Sequence, residues 1–149
     1  MKYSSELLPL TRRALEAAET LLEQARAEVL ARTDGGTAAA LEREQFAAHA
    51  LAWYATYAAA LRQMLDWAGR LDAAGRLEER EQLILRAAFG EYLAQLAGGL
   101  AMSQGEIARP ADLGIAAEAA ALSADPAVAR LTSEGNTDRL RRRLAELIA

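Results

Sequence analysis

The feature that most constrains this chain is an uncharged stretch from Ala47 to Leu61 near its centre. Large apolar residues recur in and around it at helical spacing, which keeps them on one side of an α-helix. They form two rows, one of Phe46, Trp53, Tyr57, Leu61, Met64 and Leu71 and one of Leu51, Tyr54, Ala58 and Leu65. A helix that is apolar around most of its circumference is surrounded by other helices. We therefore predict a central helix over residues 37–71 of a helical bundle.

A membrane span is the alternative interpretation of this stretch. A span requires about 20 strongly apolar residues, whereas this stretch is shorter and mostly alanine. No apolar signal core follows the amino terminus, so neither a membrane location nor a secretion signal is expected. The absence of cysteine excludes a disulfide framework and is compatible with the cytoplasmic location that we expect.

The composition favours a single all-α domain over residues 1–149. Alanine is the commonest residue; it has the highest helix propensity and lets helix axes approach closely. The chain has only three prolines and no run of alternating apolar and polar residues, as strands would require. A formal net charge of −4 argues against nucleic acid as a partner.

Capping residues and periodicity divide the chain into three long helices, over residues 5–32, 37–71 and 77–100. Ser5 is predicted to be the N-cap of the first helix and Pro9 to lie in its first turn. The inner seam of that helix is predicted to contain Leu8, Leu15, Leu22 and Val29, with Ala18 and Ala25 between them. Because a short return connects the second and third helices, they should run antiparallel.

The third helix is predicted to bury Leu85, Phe89, Tyr92, Leu96 and Leu100. Gly90 interrupts this stripe, and since glycine is costly inside a helix, we expect a close backbone contact there. A capping box of Ser103 and Glu106, with Met102 and Ile107 as a hydrophobic staple, predicts a short helix over 103–109 that Pro110 ends.

Further short helices are predicted over residues 115–122, 126–133 and 137–149, with Asp125 as an N-cap and Gly135 as a stop. They would close an antiparallel up-down bundle as a fourth layer. The last helix has no C-cap, as is expected of a domain cut from a longer polypeptide.

Two sets of residues could in principle form a metal-binding or catalytic site. A ferritin-like metal centre needs Glu-x-x-His pairs on two helices, and His49 is the one histidine of the chain. Ser103, His49 and Asp112 could formally make a triad, but no nucleophile elbow supports it. We predict neither a catalytic residue nor a metal site.

Two clusters could bind a ligand instead. Trp53, Tyr54, Tyr57 and Trp67 could line a pocket, although aromatic residues at helical spacing more often belong to a core. Arg139, Arg141, Arg142 and Arg143 could contact phosphate, although a solvated or salt-bridged face is favoured.

Five short sequence segments between Glu42 and Asp112 resemble, in the same order, segments of a known domain. They occupy residues 42–57, 61–64, 82–85, 89–93 and 98–107. The string resembles the amino-terminal helical extension that precedes the catalytic core in acyl-CoA dehydrogenases of the methylsuccinyl-CoA dehydrogenase type.

The extension is in turn similar to a degenerate copy of the carboxyl-terminal four-helix bundle of acyl-CoA dehydrogenases. Gln45 opens the long helix, Gln95-x-x-Gly98-Gly99 repeats a second motif, and Arg109 with Asp112 matches a strand-like turn. In the family, Gln-x-x-Gly-Gly helps to hold the ADP half of FAD from a neighbouring subunit. The Glu-Gly-Thr turn that carries the base in some members is absent here.

The resemblance implies a non-catalytic accessory domain that packs on a dehydrogenase catalytic domain or on a second subunit, with a homodimer left open. An unrelated free-standing scaffold or adaptor and a ligand-binding bundle are the alternatives. FAD belongs to the parent family, and no cofactor is expected to bind this chain despite Gln95, Gly98 and Gly99. A β-branched residue at Gly98 is expected to lower the melting temperature.

Overall fold

The computed structural model describes residues 4–149 as long helices with shorter elements packed against them. The elements are α1 (Ser4–Arg32), α2 (Ala38–Arg43), α3 (Gln45–Ala73), α4 (Glu79–Gly98), β1 (Leu100–Ala101), β2 (Ile107–Ala108), a 3-10 helix (Pro110–Leu113), α5 (Ala116–Ala124), α6 (Pro126–Glu134) and α7 (Asp138–Ile148). The predicted all-α class is confirmed. Within this part of the chain no helix has the length and hydropathy that a membrane crossing demands.

The three long helices pack in sequence order. Helix α3 lies between α1 and α4, and α5 and α6 contact both α1 and α4, while α7 lies against α4. Tyr54 contacts Leu96 and Tyr57 contacts Gln95, so contact positions rise along α3 as they fall along α4. The two helices are therefore antiparallel, and the short carboxyl-terminal helices form a further layer over α4.

The contact between α1 and α3 is rich in alanine. On α1 the buried small residues are Ala14, Ala18 and Ala25, and on α3 they are Ala47, Ala50, Ala58 and Ala68. Of the predicted seam, Leu15, Ala18, Ala25 and Val29 are buried, whereas Leu8 and Leu22 are half-buried and Leu7, Ala14 and Leu21 lie deeper. The seven-residue repeat is present, but its buried rows are Leu7, Ala14 and Leu21 and, beside them, Thr11, Ala18 and Ala25, so the predicted row of leucines lies next to the seam rather than at its centre.

Helix α3 is not surrounded on all sides, contrary to the prediction. Tyr54, Ala58 and Leu65 of the second row are buried, but most of the first row lies at the margin of the core. Its half-buried members are Trp53, Tyr57, Met64 and Leu71. Phe46 is 42% exposed. Helices α1 and α4 cover two sides of α3 and leave this flank open.

The predicted helix over 37–71 is divided at Glu44. The backbone of Glu44 has φ −106° and ψ 29°, which ends α2 and starts α3. Its N–H still donates to the carbonyl of Ala40 and its carbonyl accepts from Ala48, each at 3.0 Å. The break therefore redirects the chain without losing these hydrogen bonds.

Two predictions about the start of α1 are wrong. The helix begins at Ser4, so Ser5 lies inside it rather than at its N-cap, and Pro9 lies inside the helix beyond its first turn. The predicted cap Asp125 is confirmed, since its carboxylate accepts from the N–H groups of Ala127 and Val128. Thr137, predicted as the first residue of the last helix, is instead the N-cap of α7.

The predicted helix over 103–109 is wrong, because the chain forms a small hairpin there. Leu100 pairs with Ala108 and Ala101 with Ile107 in antiparallel register. The N–H of Met102 donates to the carbonyl of Glu106 at 2.9 Å, which closes the turn. The spacing Ser-x-x-Glu suits a four-residue turn as well as a helix start, and Gly105 favours the turn. Pro110 then starts the 3-10 helix instead of ending a helix.

The close backbone contact predicted at Gly90 is confirmed. A Cβ atom added to Gly90 would lie 2.8 Å from the Leu131 carbonyl oxygen. The backbones of α4 and α6 therefore meet without a side chain between them, which fixes how α6 lies on α4.

Candidate functional site

Gln95, the first residue of the degenerate motif, is directed toward α3. The Tyr57 hydroxyl donates to its Oε1 atom at 2.7 Å. Its Nε2 atom donates to Oε1 of Glu91, one turn earlier, at 2.6 Å. Both ends of the amide are thus occupied by groups of the chain itself.

The hydrogen bonds of Gln95 continue into α7 as a polar chain. The Nδ2 atom of Asn136 donates to Oε2 of Glu91, and Nε of Arg141 donates to Oδ1 of Asn136 at 2.7 Å. Burial, followed by the neighbouring Tyr92 and Glu91, raises the pKa of Tyr57. This polar chain therefore ties α3, α4 and α7 together, with Tyr57 kept as a neutral donor.

The predicted aromatic set divides between core and surface. Tyr54 is fully buried and donates from its hydroxyl to the Leu96 carbonyl at 3.1 Å. Burial, followed by the charge of Asp112, raises its pKa to about 12. Trp53 and Tyr57 are half-buried, with Tyr57 against Tyr92 at 4.4 Å between ring centroids. Tyr54 confirms the core interpretation, and Trp53, Tyr57 and Trp67 are partly buried and pack against the core.

The glycines of the motif end α4 beneath the hairpin. Gly99 has φ +140°, and a Cβ added there would lie 2.9 Å from Cγ2 of Ile107 and 3.5 Å from Cγ of Arg109. A Cβ added to Gly98 would meet nothing within 4 Å. The expectation that Gly98 needs to stay small is therefore wrong, and Gly99 has that requirement instead.

Arg109 lies near Gly99, and Asp112 is bonded to the backbone of Arg109. The N–H of Arg109 donates to Oδ2 of Asp112 at 2.8 Å, and Nη1 of Arg32 donates to the Asp112 carbonyl at 2.8 Å. Gln95 faces Tyr57, and the Glu91 carboxylate next to it disfavours a diphosphate. The residues of the motif therefore do not fit the ADP half of FAD.

The formal triad is not assembled. His49 Nε2 accepts from the Trp53 indole at 3.0 Å. The Ser103 hydroxyl donates to Glu106 at 3.4 Å, and Asp112 caps the 3-10 helix. Among residues 4–149, no three His, Asp or Glu side chains lie together as a metal site requires.

The carboxyl-terminal arginines make ion pairs. Arg143 holds Glu79 of α4 with two hydrogen bonds of 2.8 Å and also pairs with Glu146. Arg142 pairs with Asp138 at 2.8 Å. The salt-bridged interpretation is confirmed for these two residues, and Arg143 joins α7 to the start of α4.

A groove that sequence reasoning missed lies between the α2–α3 junction and the hairpin. Its volume is about 550 Å³, and it is lined by Leu41, Gln45, Phe46, Ala48, His49, Met102 and Glu106. It lies where the helix is interrupted at Glu44 and where the hairpin strands pack against α3. The break at Glu44 was not predicted, and no sequence signal located the groove.

The fold defines an all-α bundle domain in which the polar groups of the motif bond other groups of the chain itself. No family model matches the chain. The chain is 51% identical over 146 residues to a (2S)-methylsuccinyl-CoA dehydrogenase of Cereibacter sphaeroides, in an alignment covering 96% of this chain and 26% of that protein. The resemblance drawn from the sequence is thereby confirmed, and the chain is an acyl-CoA dehydrogenase-related domain. It spans about a quarter of that relative.

Proposed function

We propose that this chain is a non-catalytic accessory domain of a flavin-dependent acyl-CoA dehydrogenase that packs on the catalytic core or on a second subunit. One observation carries the proposal: 51% identity extends over 96% of this chain but only 26% of the dehydrogenase. The similar region thus coincides with the bundle as a unit, and most of the dehydrogenase lies outside it.

The hydrogen bonding of Gln95 supports a non-catalytic role. FAD could use this amide only by breaking its bonds to Tyr57 and Glu91. A carboxylate beside the motif would also repel the diphosphate of the cofactor. FAD is then a property of the larger dehydrogenase, where it supplies the redox chemistry, and this chain contributes a rigid surface.

Flavin binding by the 149-residue chain tests the non-catalytic part. We expect no saturable change in flavin fluorescence at micromolar FAD and no dehydrogenase activity. The Gln95→Ala variant should behave identically. Yellow protein on purification, or a saturable flavin signal that this variant loses, would overturn the proposal.

A hybrid enzyme tests the accessory part. In the Cereibacter sphaeroides dehydrogenase, the matching quarter is replaced by this chain, and the hybrid is compared with the same enzyme lacking that quarter. We expect the hybrid to fold and to melt at a higher temperature, with the same flavin content per subunit. A hybrid that melts no higher than the truncated enzyme would contradict the role.

A further inference from the structure

Exposed apolar side chains gather around the groove at the α2–α3 junction. Leu41 and Phe46 line it and are 38% and 42% exposed. Apolar side chains that gather in this way, rather than scatter singly, mark a surface that a partner covers.

The polar groups of the groove favour a cation. Glu106 forms no ion pair within the described chain, and the side-chain bond it accepts comes from the neutral hydroxyl of Ser103. Glu42 and Glu44 adjoin the groove in sequence, and Arg43 between them pairs with Asp34 at 3.5 Å. A Lys or Arg entering here would meet the Glu106 carboxylate, which is the one charged group of the lining.

His49 and Gln45 add neutral hydrogen-bonding groups to the groove. The Nε2 atom of His49 accepts from Trp53, so the proton of a neutral imidazole lies on Nδ1. That N–H and the amide of Gln45 can bond peptide groups. Thus the lining combines an apolar floor, peptide-binding groups and one carboxylate, and these match a polypeptide segment.

We propose that this groove docks a segment of the dehydrogenase core that presents an apolar side chain next to a Lys or Arg. The inference rests on the proposed accessory function, since it names the surface through which the domain packs. The alignment covers only 26% of the dehydrogenase relative, so most of that protein remains to supply such a segment, and like charge argues against a second copy of this chain. A two-fold contact at the groove would bring the Glu106 carboxylates of both copies together.

Hydrogen exchange in the hybrid dehydrogenase tests the docking. Residues 41–49 and 102–107 should exchange about tenfold more slowly in the hybrid than in the 149-residue chain. The Phe46→Ser and Glu106→Lys variants of the hybrid should lose both that protection and the added melting temperature. Leu30→Ser is the matched control, since Leu30 is 41% exposed on α1, and it should lose neither.

The outcomes separate the two proposals. A hybrid that is stabilised, yet unprotected at the groove or indifferent to both variants, would overturn the docking site and leave the accessory function standing. A hybrid that is not stabilised overturns the accessory function itself. Groove protection in a dimer of the free chain would assign the surface to a second copy. Circular dichroism of the free variants checks that these exposed substitutions leave the bundle folded.

Discussion

Gly90 and Gly135 lie back to back where α4 meets the end of α6. A Cβ added to Gly90 would lie 2.9 Å from Cα of Gly135, and one added to Gly135 would lie 3.0 Å from Cα of Gly90. The second would also lie 2.5 Å from the Arg86 carbonyl oxygen. These neighbours are backbone atoms, which cannot rotate away as a side chain can. The separation of the two helices therefore depends on both residues lacking a side chain.

Alanine at either glycine should destabilise the bundle. We expect Gly90→Ala and Gly135→Ala each to lower the free energy of unfolding by about 1–3 kcal/mol, because the added methyl group overpacks a backbone contact. Gly69→Ala on α3 is the matched control, since its added Cβ meets nothing within 4 Å. It should stabilise by up to about 1 kcal/mol through helix propensity. Urea unfolding measures all three, and equal effects would contradict the contact.

The two glycines that end α4 should respond oppositely to substitution. Gly99→Ala forces a side chain into φ +140° and against Ile107, and it should cost about 1–3 kcal/mol. Gly98→Ala has open space and should be neutral or slightly stabilising. Melting temperatures of the two variants decide this, and a larger loss for Gly98→Ala would refute the assignment.

Tyr54 should make the bundle sensitive to alkaline pH. Its pKa is about 12 when folded and 10.0 when free, so the unfolded chain ionises first. Its contribution to stability is complete below pH 10 and is lost as the pH rises from about 10 to about 12. Urea unfolding at pH 9 and pH 11.5 should show a smaller loss for Tyr54→Phe than for the parent chain. Equal losses would show that another group is responsible.

Acid should weaken the attachment of α7 to α4, because protonation of Glu79 breaks its ion pair with Arg143. The hydrogen bond from Arg143 lowers the pKa of Glu79 below 4.5, so its contribution is present above pH 4.5 and is lost as the pH falls through the folded value. NMR signals of α7 should shift in this acidic range in the parent chain. The Glu79→Gln variant should lack that transition. If the transition persists in the variant, the Glu79–Arg143 pair is not its cause.

Tyr57 and Gln95 should be coupled energetically. A double-mutant cycle with Tyr57→Phe and Gln95→Leu should give a coupling free energy of about 0.5–1.5 kcal/mol, as expected for one hydrogen bond. Tyr92→Phe is the control, because the Tyr92 hydroxyl makes no hydrogen bond to the described residues. Additive effects of Tyr57 and Gln95 would contradict the bond.

Local signals predicted the elements that depend on neighbours in sequence. Asp125 is a cap because its side chain reaches N–H groups two and three residues away. The cost of a glycine inside a helix was enough to place a backbone contact at Gly90, although the sequence did not reveal the partner, Gly135.

The features that were predicted wrongly, or not at all, depend on contacts between residues that are far apart in the sequence. Glu44 and its neighbours suit a helix, so nothing local marked the break that directs Gln45 and Phe46 toward the groove. The box of Ser103 and Glu106 forms a turn because β1 and β2 pair across it. Gln95 matches a family motif in the sequence, but its amide accepts a hydrogen bond from the Tyr57 hydroxyl, which lies on another helix.

The alanines between α1 and α3 act as a spacer. Each contributes little apolar area, so exchanging one for glycine removes little burial. Enlarging one to leucine would push the helix axes apart along their length and displace neighbours that the change never touches. Substitution at these alanines therefore has an asymmetric effect. A smaller residue leaves the distance between the helix axes unchanged, whereas a larger residue increases it. What the alanines set is therefore the distance between the axes of α1 and α3.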